Sequence, residues 1–560
     1  MERFREQVLL LIKNKIYLLM LSLTAIFGYG FLVTHPTIGI DDTPFTYYFE
    51  EGLSAIVGRW VIFLVNKVFH VADFLPFITD LAGVLILMGA VTVWAALLHS
   101  ILEDRIPMWG YAFFACIFIS CPLISEVYTY YLHNGVSVGY FCTGLSLCFY
   151  RELLESGKDK RQLLLKGLGT AVFLWIALGC YESFMMVWLL GVCLVLLTER
   201  YAGIRRKVFV AIVYGAAVAM AAMLLRSLMI AAVTGVFGLG GMRDEAVQRS
   251  VTEMTAWMLE PDAKAEFAMA LKRIFVMYGV FAYAYYPIFV FVLAAVVMVV
   301  SGLIRMVKFR DIWCFLLTLG SFLASFLLVA VEGRATLYRS AQFLPVICGY
   351  GALLMVYHLR SMCKWIQSKM KNTAHAIRCC RPCSGLIILG LSAILWNQCF
   401  DMNRWFYVDY MKYESARELV DEIEAVLERD FDTSKPVVFT GTYQPPRGII
   451  GDAYVPYGSE TFYRISNITG KVDEHLLDKF YRDYGVWVAQ TPALSVLDWG
   501  INAFENDEEL VRFFAMHGYR IRGNTDSERY EASQRYSAEL PSFPKEGSIV
   551  DMGEYIIVHF

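Results

Sequence analysis

A polytopic α-helical membrane protein of about eleven spans, with a soluble extracytoplasmic α/β domain at its C-terminus, is the fold class this sequence predicts. Three observations carry it. The 560-residue chain is 57% hydrophobic with only 18% charged residues, whereas soluble globular chains are about 25% charged. Its mean hydropathy is +0.50, and the apolar excess is gathered in runs of membrane-spanning length. The charges also divide along the chain. Residues 1–400 hold 33 Lys and Arg against 24 Asp and Glu, and residues 401–560 hold 16 against 28. The summed −3 therefore conceals a basic membrane domain, 1–400, and an acidic tail domain, 401–560. Basic residues stand at span ends rather than in one patch, which argues against a nucleic-acid partner.

The first apolar run covers residues 8–33, with Arg3, Arg5, Lys13 and Lys15 at its N-terminal side. No small-residue cleavage site follows, so it reads as a span and not as a removed signal peptide. Further spans are predicted near 77–99, 108–124, 135–150, 164–180, 183–198, 208–233, 275–300, 312–331, 341–358 and 385–400. Residues 164–198 could form one long helix, but Gly179-Cys180-Tyr181-Glu182-Ser183 puts polar groups at its middle. Two spans joined by a tight turn satisfy the backbone better. All 13 cysteines precede residue 401, and most lie in apolar runs, where cysteine acts as a small buried hydrophobe. Cys379, Cys380 and Cys383 offer too few ligands at fixed spacing for a metal.

With the N-terminus inside, the inner segments collect 23 basic residues and the outer segments before the tail about nine. The positive-inside rule selects that orientation, and an odd number of spans then puts the tail outside. In the tail, Tyr413, Leu419, Ile423 and Leu427 recur with a helical period over 411–430. A short strand follows at 436–439. A second helix runs from Asp507 to Met516 with Asn506 as its N-cap, and a final strand falls within 548–559.

This topology gathers polar residues on the outer side. Asp41 and Asp42 follow the first span; Gly58-Arg59-Trp60 sits on an amphipathic stretch, 45–70. Glu126, His133 and Asn134 share an outer loop with Tyr128, Tyr130 and Tyr131, a tyrosine group that reads as an interface belt. Tyr181-Glu182-Ser183 cap the fifth span, and Glu332, Arg334, Tyr338, Arg339 and Gln342 lie between the ninth and tenth. Glycosyl transfer to a hydroxyl needs a general base and cationic donors for a leaving phosphate. Asp41 or Asp42 is the candidate base. Arg59, Arg334 and Arg339, with Tyr338 beside them, are candidates for the phosphate, which the planar guanidinium fork suits. Glu182, Tyr181, His133, Asn134 and Glu332 are candidates for substrate contact. The glycine-rich 235–243 lacks the strand–helix context of a nucleotide loop.

IDDTPF after the first span, GRW about sixteen residues on, YES at the end of the fifth span and EGRATLYRS before the tenth resemble the GtrII-like bacterial membrane glucosyltransferases of the GT-C class. The resemblance covers most of residues 1–400. It implies a GT-C-like fold in a bacterial cytoplasmic membrane and an acidic catalytic motif in the first outer loop, a position that Asp41 and Asp42 match. It also implies an undecaprenyl-phosphate-sugar donor acting as co-substrate, with no cofactor, and a surface-polysaccharide or other envelope-glycan acceptor. The expected partners are that lipid-linked donor, the acceptor, membrane lipid, a flippase and a transferase that makes the donor. The alternatives are a polysaccharide polymerase, which takes a diphosphate-linked donor, and a transporter or flippase of lipid-linked sugars. A monophosphate leaving group held by arginines needs no divalent metal in principle. Full activity after chelation is the expected outcome, and an absolute Mg²⁺ or Mn²⁺ requirement in a transfer assay would contradict it.

Overall fold

The computed structural model describes residues 2–37, 58–69, 76–128, 133–156, 159–236, 256–275, 278, 286–333, 340–369, 373–441 and 508–560. The chain is mostly helical. In order come α1 (Glu2–Lys13), α2 (Lys15–Thr34), α3 (Trp60–Val68), α4 (Pro76–Leu102), α5 (Met108–Ile119), α6 (Leu123–Tyr128), α7 (His133–Glu155), α8 (Lys160–Cys180), α9 (Phe184–Ala202) and α10 (Val208–Val236). Then follow α11 (Ala263–Phe275), α12 (Tyr286–Phe309), α13 (Ile312–Ser325), α14 (Leu327–Glu332), α15 (Leu344–Lys369) and α16 (Thr373–Asp430). Among the described residues, eight helices are long and apolar enough to cross a membrane: α2, α4, α8, α9, α10, α12, α15 and α16. The chain is an integral membrane protein by that measure.

Each of the eleven predicted spans coincides with a helix, but three fall short of that criterion of length and apolarity. Helices α5 and α13 have 12 and 14 residues. The first stops at Ser120-Cys121-Pro122, where Pro122 has no N–H to continue the ladder. The second stops at Ser325-Phe326 and resumes as α14. Helix α7 is long enough but buries Ser137, Thr143, Ser146 and Arg151, which dilute its apolarity. Two boundaries also differ from expectation. The run 8–33 is broken at Asn14, whose side chain caps α2 by accepting from the Tyr17 N–H at 2.9 Å. The span expected over 275–300 is described as Tyr286–Phe309.

With little hydrophobic force between helices in lipid, packing and interhelical hydrogen bonds hold the bundle. Tyr29 donates to the Ile119 carbonyl at 2.7 Å, and Trp188 Nε1 to Ser146 Oγ at 2.9 Å. Tyr140 donates to Gln342 Oε1 at 2.6 Å. Gln342 is therefore buried inside the bundle and acts as a fastener, not as an exposed loop group. Tyr128 corrects the expected tyrosine belt: it is buried, its hydroxyl is 2.7 Å from Ser137 Oγ, and its ring lies 4.8 Å from that of Tyr29.

The end of the bundle where α2 finishes is termed the upper end, the opposite one the lower. Charges at the lower end form a buried clamp. Glu199 of α9 accepts from Arg206 Nε at 2.6 Å, and Arg151 Nε of α7 approaches it at 3.6 Å. Arg206 also donates to the Leu154 carbonyl and to Glu155. Arg200 pairs with Asp311 at 3.3 Å, and Arg305 donates to the Tyr201 carbonyl at 3.1 Å.

Helix α16 runs unbroken through Phe400, so the last span and the first helix of the tail are continuous over 58 residues. Its last turns pack Leu419, Ile423 and Leu427 against the tail core, as their helical period requires. The tail adds β1 (Pro436–Thr440), α17 (Glu508–Met516), β2 (Arg522–Gly523), α18 (Ser527–Ser537), β3 (Ile549–Asp551) and β4 (Ile556–His559). The sheet has order β2-β1-β4-β3, with β1 parallel to β2 and β4, and β3 antiparallel to β4. The single strand expected over 548–559 is instead a hairpin, because the chain reverses after Asp551 through Gly553 at φ +89°. The expected cap Asn506 lies outside the described residues.

Because Glu199 is fully buried between two guanidinium groups, removing its charge leaves both with Glu155 as their remaining carboxylate. Glu199→Gln is expected to lower stability by about 1–3 kcal/mol, read as a fall in the unfolding midpoint of the detergent-solubilised protein.

Candidate functional site

The upper end brings three distant segments to one carboxylate. Helix α8 ends at Cys180, Tyr181 is extended, and α9 begins at Phe184. The tight turn predicted at 179–183 therefore exists and leaves Glu182 just before a helix N-terminus, where the helix dipole favours a negative charge. Arg226 of α10 donates to Glu182 Oε1 at 3.0 Å. Arg59, at the start of α3, reaches Oε2 through Nε and Nη2, both at 3.4 Å. The Arg59 guanidinium also lies over the Tyr181 ring, 4.4 Å from its centroid, a cation–π contact that orients its plane.

The local sequence explains the convergence. Gly58 has φ +87°, a conformation glycine adopts without strain. A Cβ there would overlap the Arg226 guanidinium, so the missing side chain is the space that Arg226 occupies. Gly179 plays the matching part below: a Cβ on it would strike the Trp60 indole, which packs at a tilt against Trp175 with ring centroids 4.7 Å apart. The Gly-Arg-Trp motif is thus a seat. Glycine admits one arginine, the second comes from the motif itself, and tryptophan pins the motif to α8.

Of the residues chosen from sequence, the structure joins Arg59, Tyr181 and Glu182. His133 and Asn134 open α7, and Glu332 closes α14. Asp41, Asp42, Arg334, Tyr338 and Arg339 lie outside the described residues, as does most of the glycine-rich stretch.

Sequence reading missed two residues. Arg226 is the one charged residue in the apolar run 208–233, and an ionisable group inside such a run is a functional candidate by default. Asp80 is the same kind of signal. It lies in the second apolar run and is a buried carboxylate near the upper end of α4.

Among the described residues, two guanidinium groups share one carboxylate. Held in place by Glu182, they present the geometry that an anionic oxygen cluster would suit.

A family model described as Glucosyl transferase GtrII matches residues 30–356. No curated protein and no solved structure matches the chain. The matched segment begins within α2 and ends within α15, so it contains Arg59, Glu182 and Arg226 and leaves out the tail.

Gly58→Ala forces a side chain into a left-handed backbone and into Arg226. It is expected to destabilise the protein by about 2–4 kcal/mol, measured by thermal unfolding. An unchanged midpoint would show that Arg226 does not need that space.

Proposed function

The chain belongs to the GtrII glucosyl transferase family, and we propose that it moves a hexose, glucose by the family's description, from undecaprenyl-phosphate-sugar to an envelope glycan on the outer face of a bacterial cytoplasmic membrane. The observation that carries the reading is the pair Arg59 and Arg226, drawn from separate segments onto Glu182 at the upper end.

The orientation follows from charge. The lower end holds the Arg151–Glu199–Arg206 clamp, Arg200 and Arg305, and the basic excess there supports a cytoplasmic lower end with the tail and the arginine pair outside. A polyprenyl-phosphate donor presents its phosphate at the membrane surface. That depth suits an arginine inside α10 and another at the start of α3.

The reaction is a displacement at the anomeric carbon. The acceptor hydroxyl oxygen forms the new C–O bond and loses its proton to Asp41 or Asp42. The bond from that carbon to the phosphate oxygen breaks, and its electron pair leaves with the polyprenyl phosphate. Arg59 and Arg226 stabilise the charge that develops on that oxygen. Arg334, Arg339 and Tyr338 are further contacts for it. Tyr181, His133, Asn134 and Glu332 are the candidates for contact with the sugar or the acceptor, and Glu182 holds the two arginines apart at a fixed spacing.

A transfer assay with purified undecaprenyl-phosphate-glucose and envelope glycan tests this reading. The wild type is expected to release undecaprenyl phosphate. Arg226→Ala is expected to lose about 100-fold or more in kcat, the scale of losing one charge-stabilising donor, and Asp42→Asn or Asp41→Asn to lose general-base catalysis of similar size. Turnover of a diphosphate-linked oligosaccharide instead would assign a polymerase. Movement of lipid-linked sugar that survives loss of both aspartates would assign a flippase.

A further inference from the structure

The junction between the membrane domain and the tail contains a cleft of about 350 Å³, within the size range of small-ligand sites. Three chain segments build it: the upper end of α2, the part of α16 beyond the last span, and the end of α17. Thr37 donates to Asp409 at 2.6 Å and ties the first two together. The His35 ring stacks on Phe31 with centroids 4.0 Å apart, and the Tyr410 ring stands edge-on to His35 at 4.9 Å. On the other side Tyr413 donates to His517 Nε2 at 3.4 Å, while His517 Nδ1 donates to the Phe513 carbonyl at 2.7 Å. Glu414 and Arg417 pair at 2.6 Å on the wall.

We propose that this cleft binds the glycan acceptor, a claim that rests on the transfer reaction proposed above and adds where its second substrate is held. The chemistry of the lining selects the ligand class. Aromatic rings present flat apolar surfaces, and the carboxylate–guanidinium pair offers acceptors and donors side by side with no net charge. Sugar rings combine C–H faces with hydroxyl groups and match both. An acyl chain would leave Glu414 and Arg417 unmatched, and an isolated phosphate would face the Glu414 carboxylate. Position agrees with the chemistry. Pro36, in the cleft wall, precedes Asp41 by five residues, a chain length of at most about 18 Å. That length is one an oligosaccharide of a few sugar units bridges, so an acceptor held here can extend toward the candidate base.

The full chain in lipid nanodiscs is assayed with undecaprenyl-phosphate-glucose and oligosaccharide fragments of the producing cell's surface polysaccharide. Tyr410→Ala is expected to raise the acceptor KM about tenfold, the scale of losing one aromatic platform. The donor KM should stay within about twofold, and Tyr410→Phe should retain wild-type behaviour. Arg417→Ala, at a half-exposed side chain whose removal leaves the tail core untouched, should raise the acceptor KM in the same way. An unchanged acceptor KM in both alanine variants, or a rise in donor KM instead, overturns the assignment. Calorimetric titration of the same fragments into wild type and Tyr410→Ala, without donor, separates this claim from the reaction. Fragment binding lost in the variant supports the cleft even where no transfer is seen. Equal binding by both proteins overturns the cleft while transfer by the wild type still stands.

Discussion

The interaction on which the upper end depends is the sharing of one carboxylate by two guanidinium groups. Arg226 sits in a helix whose other residues over 208–233 carry no charge, and a charged side chain in such a helix is costly to hold without a partner. Glu182 meets it at 3.0 Å and Arg59 at 3.4 Å. The pairing joins α3, the α8–α9 turn and α10, which are separated in sequence by more than a hundred residues end to end. It therefore closes the bundle and fixes the positions of two guanidinium groups in one step. The opposite end uses the same device for a different purpose: there the carboxylate of Glu199 is fully enclosed, Arg206 binds the Leu154 carbonyl as well and Arg151 the Ser100 hydroxyl, which makes a structural lock.

Much of this was legible in the chain because a bilayer imposes a simple rule. Each backbone polar group in a span must be satisfied within the helix, so apolar run length maps onto helices almost directly. The eleven runs accordingly all fall on helices, eight of them long and apolar enough to cross a membrane among the described residues, and the turn between the fifth and sixth was readable from Tyr181-Glu182-Ser183 alone. Breaks inside runs were less visible. Asn14 and Ser325-Phe326 interrupt otherwise apolar stretches through local capping and packing, which hydropathy does not register. In the tail, alternation over 548–559 does not separate one strand from two, because a hairpin and a single strand share that pattern until a positive-φ glycine turns the chain.

At the site, Arg59, Tyr181 and Glu182 were readable as motif members at span ends, where polar groups stand out. Their mutual contact was not readable, since it depends on which helices are neighbours. Arg226 escaped notice for the opposite reason. It lies inside a span that was read for its apolarity. Gly58 shows the limit most clearly: its role is the volume it leaves empty, and only the position of a side chain 168 residues away gives that emptiness a meaning.

The continuity of α16 has a mechanical consequence. From Phe400 to Asp430 the helix continues for 30 residues, a rod of about 45 Å, longer than the roughly 30 Å hydrocarbon core is thick. Held to α2 at Asp409 and gripped by the tail core from Leu419 to Leu427, the rod passes any tilt of its base on to the tail. The tail is carried on a boom, so its stand-off is set by helix length and its aim by how the final span leans.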